Sequence, residues 1–347
     1  MGSKTLRMTT IKDIASRAGV SFKTVSRVVN GVPSVDPDTR ARVQATIQEM
    51  GYVPNQAARQ LRGTPRTIGF LYDNPNSNYV VEVQEGIIEA CRSMGYEVLI
   101  HPVKSTDADA HAEVLRLGQR AEVGGLVLTP PLSENVALID QLLDSGIAAA
   151  TVVSGAEPPD SRLPTVHVDD RYAARTLTNK LVDLGHREIA FFEGDAGHQS
   201  TQERRQGWEE ALIAHGLSAD RGLVLPGEYT FSSGVERADE LLQKMRTVTA
   251  IIACNDEIAA GVLFSARRLG LRIPHDLSIV GFEDSPFSRQ SWPNLTTARQ
   301  SNRSLGAHAA RLLMESLSSG EMEASAPAIA VQPEVLFRDS IAPPAAV

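Results

Sequence analysis

The spacing of apolar residues changes near residue 66, and this change divides the chain into two parts. Before it, apolar residues such as Ile11, Ile14 and Ala18 recur at the spacing of one helical face. From Thr67 onwards, short apolar runs of strand length alternate with amphipathic stretches of helix length. The pattern predicts a small all-α head followed by a larger α/β body.

The head begins with two short helices joined by a tight turn. Gly19 supplies the turn, because glycine adopts positive φ without steric cost. Ser21 is expected to cap the second helix, since its hydroxyl can accept a hydrogen bond from a free backbone N–H. That helix runs to about Asn30, where Gly31 and Pro33 end it. Two helices in this arrangement are typical of a helix-turn-helix.

The second helix of a helix-turn-helix enters the DNA major groove, and its first residues contact base edges. Helical spacing turns Val25 and Val28 inward and leaves Phe22, Lys23 and Arg27 facing outward. The two basic side chains can donate to guanine, and the phenyl ring can pack against a thymine methyl group.

A third helix is predicted from Asp36, with Pro37 at its first position, to Met50–Gly51. The sequence YVPNQAARQLRG follows and predicts a short hinge helix capped by Asn55. So short a helix is marginal in water, and we expect it to fold on DNA. Leu61 at its end is suited to wedge between base steps in the minor groove. The alternative is a plain linker with an incidental leucine.

The segments IKDIASRAGVSFKTVSRVVNG and YVPNQAARQLRG resemble the lactose-repressor (LacI/GalR) family of bacterial transcription regulators, and the resemblance covers nearly the whole chain. It implies a homodimer on a pseudo-palindromic operator of double-stranded DNA, paired hinge helices and a small, sugar-like effector. Phe22 and Lys23 fall where family members differ most, so the operator sequence stays open. The residues assigned to DNA contact are Thr10, Ser21, Phe22, Lys23, Thr24, Ser26, Arg27, Asn30, Tyr52, Asn55, Ala58 and Leu61.

Charge divides the chain at the same place as the apolar pattern. Residues 1–66 hold eleven Lys or Arg and four Asp or Glu, a net charge of +7. The whole chain carries −8, so the remaining residues carry −15. A basic head on an acidic body suits local neutralisation of DNA phosphates.

The body repeats strand–helix units, which predicts parallel sheets with right-handed crossovers. Two such series predict two Rossmann-like subdomains, similar to periplasmic binding proteins, and the resemblance implies that the chain crosses between them more than once. The expected divisions are 8–54 for the helix-turn-helix domain, 55–65 for the hinge helix and linker, and 66–340 for the effector-binding and dimerisation body. Within the body, 66–165 plus 295–325 form the first subdomain, and 166–294 plus 326–340 form the second.

Ligands of open α/β sheets bind beyond the carboxyl ends of the strands. Carboxylates, amides and an arginine at such positions suit a neutral polyhydroxylated ligand, because each hydroxyl both donates and accepts. Aromatic rings can pack against its C–H face. The predicted effector-binding residues are Asp73, Asn78, Tyr79, Thr129, Arg204, Tyr229, Phe231, Asn255 and Glu283.

The resemblance assigns effector contact to the positions of Arg204, Tyr229 and Asn255, whereas Glu283 stands where the family usually has aspartate. Structural alternatives remain for three of these residues. The arginine could form a surface ion pair, the asparagine could cap the following helix, and the glutamate could be structural. The aspartates at 169–170 are expected to shape a turn before a helix.

Several other functional classes fit the sequence poorly. The eight histidines show no metal-ligand spacing, and no HExxH, CxxC, GxSxG, P-loop or GxGxxG motif occurs, so we expect neither metal nor cofactor. A sugar-active enzyme with Asp73 and Glu283 as its carboxylate pair would leave the head unexplained. A solute-binding protein would need an export signal and would not carry the head.

The expectation is therefore a non-enzymatic transcriptional regulator, a repressor of carbohydrate-utilisation genes that a sugar releases. A purine or another corepressor is the alternative effector. We expect a cytoplasmic protein with reduced, buried Cys91 and Cys254, because no transmembrane run or signal peptide is evident. The end RDSIAPPAAV has no leucine heptads, which favours a dimer over a coiled-coil tetramer.

Overall fold

The structure is a computed structural model that divides into two compact units, Met1–Thr64 and Pro65–Val347. It describes residues 11–29, 35–50, 65–74, 77–157, 162–219, 221–245, 247–319 and 326–345. The predicted hinge helix lies outside these residues. So do the predicted DNA contacts Thr10, Asn30, Tyr52, Asn55, Ala58 and Leu61.

The described part of the first unit forms three helices: α1 (Ile11–Ala18), α2 (Phe22–Val29) and α3 (Pro37–Glu49). Its core contains fully buried Ile14, Val25 and Val43, one from each helix. The predicted turn is confirmed at Gly19, which has φ of +64°. The predicted start of α3 is also confirmed, since Asp36 caps the helix by accepting a hydrogen bond from the Thr39 N–H at 3.0 Å.

The second unit contains strands and helices in alternation. The strands are β1 (Thr67–Tyr72), β2 (Glu97–Pro102), β3 (Val123–Leu128), β4 (Ala149–Ser154), β5 (Thr165–Val168), β6 (Ile189–Phe192), β7 (Val224–Leu225), β8 (Ala250–Ala253), β9 (Ser278–Val280), β10 (Thr297–Arg299), β11 (Ala328–Val331) and β12 (Glu334–Leu336). The helices are α4 (Asn78–Met94), α5 (Ala110–Gly118), α6 (Val136–Asp144), α7 (Asp170–Asp183), α8 (Gln199–Ala214), α9 (Phe231–Lys244), α10 (Asp256–Arg268), α11 (Pro286–Gln290) and α12 (Asn302–Ser319). Short 3₁₀ turns occur at Leu132–Glu134 and Arg221–Leu223.

Two parallel sheets define the two lobes of this unit. The first lobe contains a six-stranded sheet with the order β11-β5-β4-β3-β1-β2, and the second contains a four-stranded sheet with the order β7-β6-β8-β9. Strands β10 and β12 form a separate antiparallel pair. The predicted α/β class with two parallel sheets is thereby confirmed.

The sheet pairing corrects the expected division between the lobes. The second series was expected to begin at residue 166 and to include residues 326–340, but Val166 pairs with Val152 of β4 and with Ile329 of β11. Strands β5 and β11 therefore belong to the first sheet. Apolar alternation predicts where a strand lies, whereas its partner depends on tertiary packing.

The late sequence AIAVQPEVLFRDS forms two strands, β11 and β12. Pro333 lies between β11 and β12, and proline lacks the N–H that a continuous ladder requires. The two halves consequently join different sheets.

Helices α4 and α12 pack at unusually close range through two glycines. A Cβ atom on Gly86 would overlap the carbonyl oxygen of Arg303, and one on Gly306 would overlap that of Val83. Because neither position has a side chain, the two backbones come into contact. This contact holds α12 against the first lobe. No helix among the described residues is long and apolar enough to cross a membrane.

Candidate functional site

A cavity of about 260 Å³ lies between the two lobes, at the carboxyl ends of strands from both sheets. This is the place where open parallel sheets bind ligands. The residues around it include Asp73, Asn74, Ser77, Tyr79, Pro130, Ser154, Asp170, Asp195, His198, Ser200, Arg204, Glu228, Tyr229, Thr230, Asn255, Glu283 and Gln300.

Six of the predicted effector-binding residues line this cavity. They come from loops and helices of both lobes and are Asp73, Tyr79, Arg204, Tyr229, Asn255 and Glu283. The rule that ligands bind beyond the carboxyl ends of strands thus identified residues that are up to 210 positions apart in the sequence.

Three other predicted residues are not part of the cavity lining. The buried Thr129 hydroxyl donates to the Leu71 carbonyl at 3.3 Å, and the Phe231 ring packs against Phe264 with centroids 5.8 Å apart. Asn78 is the first residue of α4. The Thr129 and Phe231 side chains thus contact neighbours in their own lobe, whereas the Asn78 amide nitrogen is buried without a hydrogen-bond partner.

Arg204 lies at the centre of the polar lining. Its side chain is buried, and its Nε donates to Asp170 Oδ1 at 2.8 Å. A terminal nitrogen donates to the Cys254 carbonyl, and the guanidinium stacks over the Phe282 ring at 4.6 Å. Burial acts to lower the pKa of Arg204, but the acidic groups around it, with Asp170 the largest contributor, together outweigh this effect and the pKa is raised. A surface ion pair, the structural alternative, is wrong.

Asp170 is the main residue that sequence reasoning missed. The expected turn is confirmed at Asp169, whose carboxylate accepts a hydrogen bond from the Tyr172 N–H at 2.9 Å. Asp170, however, is only 2% exposed and accepts hydrogen bonds from Ser154 and Gln300, both at 2.5 Å. Its partners come from distant parts of the chain, so a doublet of aspartates before a helix could not reveal this role.

Asn255 serves two purposes. Its Oδ1 accepts a hydrogen bond from the Ile258 N–H at 2.8 Å, which confirms the expected cap of α10. The same residue lines the cavity, and the cap uses only the amide oxygen. The amide NH₂ group is therefore not consumed by the cap.

Glu283 follows β9 and has φ of +98°, in the left-handed region that glycine favours. Burial raises the pKa of its carboxyl group to about 8, against the opposing effect of Arg204. No side chain among the described residues hydrogen-bonds this carboxyl group. Strained backbone and an unpaired polar group are typical of binding sites rather than of structural residues.

Aromatic rings form one wall of the cavity. The Tyr229 hydroxyl lies 3.0 Å from Ser200 Oγ and 2.8 Å from Thr201 Oγ1, so the start of α8 holds the ring in place. His198 packs edge-on against it, with centroids 5.4 Å apart, and burial lowers the pKa of this imidazole. Sequence reasoning missed His198, because a lone histidine in a loop carries no pattern.

Two further residues have structural roles. His186 lies with Nδ1 2.8 Å from Thr249 Oγ1 and Nε2 2.9 Å from the Ala342 carbonyl, and so ties three segments together. Asp256 accepts hydrogen bonds from the Thr297 hydroxyl and the Ser285 N–H, both at 2.7 Å. Neither lies among the residues that line the cavity. Across the described parts of the chain, no group of acidic, histidine and cysteine side chains is arranged to hold a metal ion.

The exposed face of α2 carries the side chains predicted to reach DNA bases. Phe22 is 46% exposed, and Lys23 and Arg27 are also exposed. Ser21 caps the helix, since its Oγ accepts a hydrogen bond from the Thr24 N–H at 3.1 Å, and the Thr24 hydroxyl lies 2.8 Å from that oxygen. Ser26 is partly buried on the same helix.

Comparison with known proteins bears on both units. A family profile described as bacterial regulatory proteins, lacI family, matches residues 10–55, and one described as periplasmic binding protein-like domain matches residues 178–341. The chain is 32% identical to catabolite control protein A of Priestia megaterium over 321 residues, which cover 91% of this chain and 95% of that protein.

Two solved structures are similar over almost their full length. The transcriptional regulator CelR in complex with cellobiose has a TM-score of 0.73 and 28% identity, covering 96% of this chain and 99% of that one. The lac repressor dimer bound to operator and the anti-inducer ONPF has a TM-score of 0.80 and 25% identity, covering 97% and 100%.

Proposed function

Since the chain belongs to the lacI family of bacterial regulatory proteins, we propose that this DNA-binding transcriptional regulator responds to a small, uncharged sugar bound between its lobes. The observation that carries the proposal is the cavity itself, which presents the Glu283 carboxyl group and the Asn255 NH₂ group beside aromatic rings. Such a lining suits hydroxyl groups that both donate and accept, with ring faces for the apolar side of the sugar.

The charges around the cavity favour an uncharged ligand over a phosphorylated one. Asp73, Asp195 and Glu228 add negative charge around it, whereas Arg204 is the one arginine or lysine among the described residues that line it. The positive charge of that arginine is already balanced by its ion pair with Asp170. A phosphate group would need an unpaired cation, because burying an uncompensated charge is costly. A sugar without charge meets no such penalty.

The DNA-binding role is assigned to the first unit. Phe22, Lys23 and Arg27 on the exposed face of α2 contact bases in the major groove, and residues 55–65 form the hinge that enters the minor groove. Two chains act as a homodimer on a pseudo-palindromic operator in the cytoplasm. The structurally similar lac repressor dimer binds its operator, which supports this arrangement.

Regulation follows from the position of the cavity between two lobes. An effector that binds one lobe arrangement more tightly than another shifts the equilibrium between them. We expect this shift to change the separation of the two hinges and so to weaken operator binding, which releases repression. The size of the response is limited by the difference between the effector's affinities for the two arrangements.

Thermal unfolding with a panel of compounds tests the effector class. The panel contains monosaccharides, disaccharides including cellobiose, their phosphates, and purines. A ligand that binds only the folded state raises Tm by mass action. At a hundredfold excess over Kd it increases the free energy of unfolding by about 2.7 kcal/mol. We expect a saturable rise with at least one uncharged sugar and no rise with its phosphate.

Two variants locate the binding site. Glu283→Gln alters the cavity and should reduce the sugar-induced rise in Tm, whereas Glu122→Gln on an exposed loop should leave the rise unchanged. A rise with a purine or a sugar phosphate alone would contradict the sugar proposal while leaving the DNA-binding role intact. An equal rise in both variants would place the sugar elsewhere.

A further inference from the structure

A hydrogen bond accepted by Glu134 joins the two lobes directly beside the cavity, as the bond from Ser154 to Asp170 also does. Glu134 ends the 3₁₀ turn Leu132–Glu134 of the first lobe, and its Oε2 accepts a hydrogen bond from the Gln199 N–H at 2.9 Å. Gln199 is the first residue of α8 in the second lobe. The bond exists only while the two lobes keep this separation.

The start of α8 lacks a cap of its own. The first N–H groups of a helix have no partner within the helix, and His198, which precedes α8, makes no side-chain capping bond. By contrast, α6, α7 and α10 are capped by the residue immediately before them, namely Asn135, Asp169 and Asn255. Glu134 supplies the missing acceptor from the opposite lobe. The helix dipole also stabilises a negatively charged carboxylate at this position.

The glutamate is held firmly on its own side. The Glu134 N–H donates to the Pro131 carbonyl at 3.2 Å, and the neighbouring Ser133 hydroxyl donates to the Val152 carbonyl at 2.7 Å. Asn135 then caps α6. The Glu134 side chain therefore moves with the first lobe and not independently of it.

The partner helix carries the effector-binding groups of the second lobe. Arg204 lies on α8, and Ser200 and Thr201 in its first turn hold the Tyr229 hydroxyl. A displacement of the start of α8 would therefore move both the guanidinium and the aromatic wall. A contact that fixes this end fixes the geometry of half the cavity.

We propose that Glu134 is a positioning residue that caps α8 across the cleft and thereby holds the two lobes in the ligand-binding arrangement. Its consequence for regulation rests on the proposed function, because only an effector response makes lobe separation matter for DNA binding. The bond itself is a property of the protein without ligand.

The burial of Glu134 makes the contact sensitive to pH. Its Oε1 is buried without a partner, and burial raises the pKa of the carboxyl group to about 7. The hydrogen bond from the Gln199 N–H and the charge of Arg204 oppose this rise and Asp170 adds to it, while Tyr79 on α4 and His198 are further titratable groups nearby. Separated lobes would return the carboxyl group to water and to an ordinary pKa of about 4.3.

The sign of the pH dependence follows from linkage. The pKa is raised in the joined arrangement, so protonation favours that arrangement. The favourable contribution is fully present below the ordinary pKa, and it is lost as pH rises through about 7. We therefore expect the lobes to separate more often at pH 8 than at pH 5.5 in the absence of ligand.

Distances between spin labels on the two lobes test this directly in the full chain without ligand. Exposed Asp144 of the first lobe and Glu236 of the second are replaced by cysteine for labelling, whereas native Cys91 and Cys254 are buried. The distance distribution is then measured from pH 5.5 to 8.5. Wild-type protein should show a longer mean distance as pH rises, with a midpoint near 7.

Substitutions separate a positioning role from a merely structural one. Glu134→Gln keeps a carbonyl acceptor without a titrating charge, so its lobes should stay joined at every pH. Glu134→Ala removes the bond and should give the longer distance at every pH. Glu122→Gln, an exposed glutamate of the first lobe, should behave as wild type.

The proposal is overturned if Glu134→Ala keeps the wild-type distances, or if Glu134→Gln keeps the wild-type response to pH. Because no ligand is present, failure here leaves the effector panel untouched. Conversely, a negative panel would contradict the sugar effector without altering these distances.

Discussion

The ion pair between Arg204 and Asp170 is buried on both sides, with side-chain exposures of 4% and 3%. Replacing Arg204 by methionine would leave the carboxylate buried without its counter-charge. Removal of one partner from a buried pair costs about 3–5 kcal/mol. We expect Arg204→Met to lower the free energy of unfolding by that amount, measured by urea denaturation at pH 7.

The adjacent residue provides a matched control. Arg205 pairs with Glu193 and Glu209 but remains 34% exposed, so Arg205→Met should cost no more than about 1 kcal/mol. The double variant Arg204→Met/Asp170→Asn should recover part of the loss, since it removes the orphaned charge. Equal effects of the two single arginine variants would show that the Arg204 pair contributes no more than a surface ion pair.

Several residues of the cavity were predictable from the sequence. Arg204, Asn255 and Glu283 were identified from strand ends and from the family resemblance, and all three line the cavity. Gln300 and Asp170 were missed, because their roles arise from a contact between residues 130 positions apart. A periodic pattern reports the local face of an element and carries no information about such a contact.

At the scale of the element, close packing of α4 and α12 depends on glycine. Gly86→Ala would place a methyl group where the Arg303 carbonyl oxygen lies, so the helices must separate. We expect a loss of about 1–3 kcal/mol in the free energy of unfolding, typical of overpacking, despite the higher helix propensity of alanine. Urea denaturation with far-UV circular dichroism measures it.

Ser93→Ala, at an exposed position near the end of α4, serves as the control and should change stability by less than about 0.5 kcal/mol. Should Gly86→Ala instead prove more stable than wild type, propensity would outweigh packing. The inference that the two backbones approach too closely at Gly86 for a methyl group would then be wrong.

The recognition helix α2 gives a prediction for DNA binding. Arg27 is exposed on this helix and is assigned to a base contact. On a duplex selected in vitro for tight binding, Arg27→Ala should weaken binding by about 1–3 kcal/mol and relax the preference at the contacted base pair. Fluorescence anisotropy with the selected duplex and its single-base variants measures both effects.

Arg42→Ala on α3 removes another exposed arginine of the same unit. It should at most weaken binding to all duplexes alike, as the loss of a phosphate contact does. Unchanged sequence preference in Arg27→Ala would contradict the assignment of this residue.

Element types and bounds were largely predictable, since caps and glycine stops are local signals. Helix α3 begins after Asp36 as expected. Strand partners were not predictable, as β5 and β11 demonstrate. Both strands have ordinary strand-like sequences, and only their packing determines that they join the first sheet.

At the scale of the whole molecule, a basic head and an acidic two-lobed body divide the tasks of DNA binding and ligand response. The division was visible in the charge pattern before any fold was known. The exact paths by which the chain crosses between lobes were not visible, because each lobe is assembled from segments that are not contiguous. The proposed effector between the lobes would act on a joint that several crossings share.

The late arrival of α12 and β11 has a consequence for synthesis on the ribosome. The four strands of the second sheet lie within residues 189–280, whereas the first sheet is completed only by Ala328–Val331. A nascent chain therefore presents the α4 surface around Val83 without its cover until almost all of it has been translated. We expect the second sheet to form before the first, and chaperones to engage the unfinished first lobe while translation nears its end.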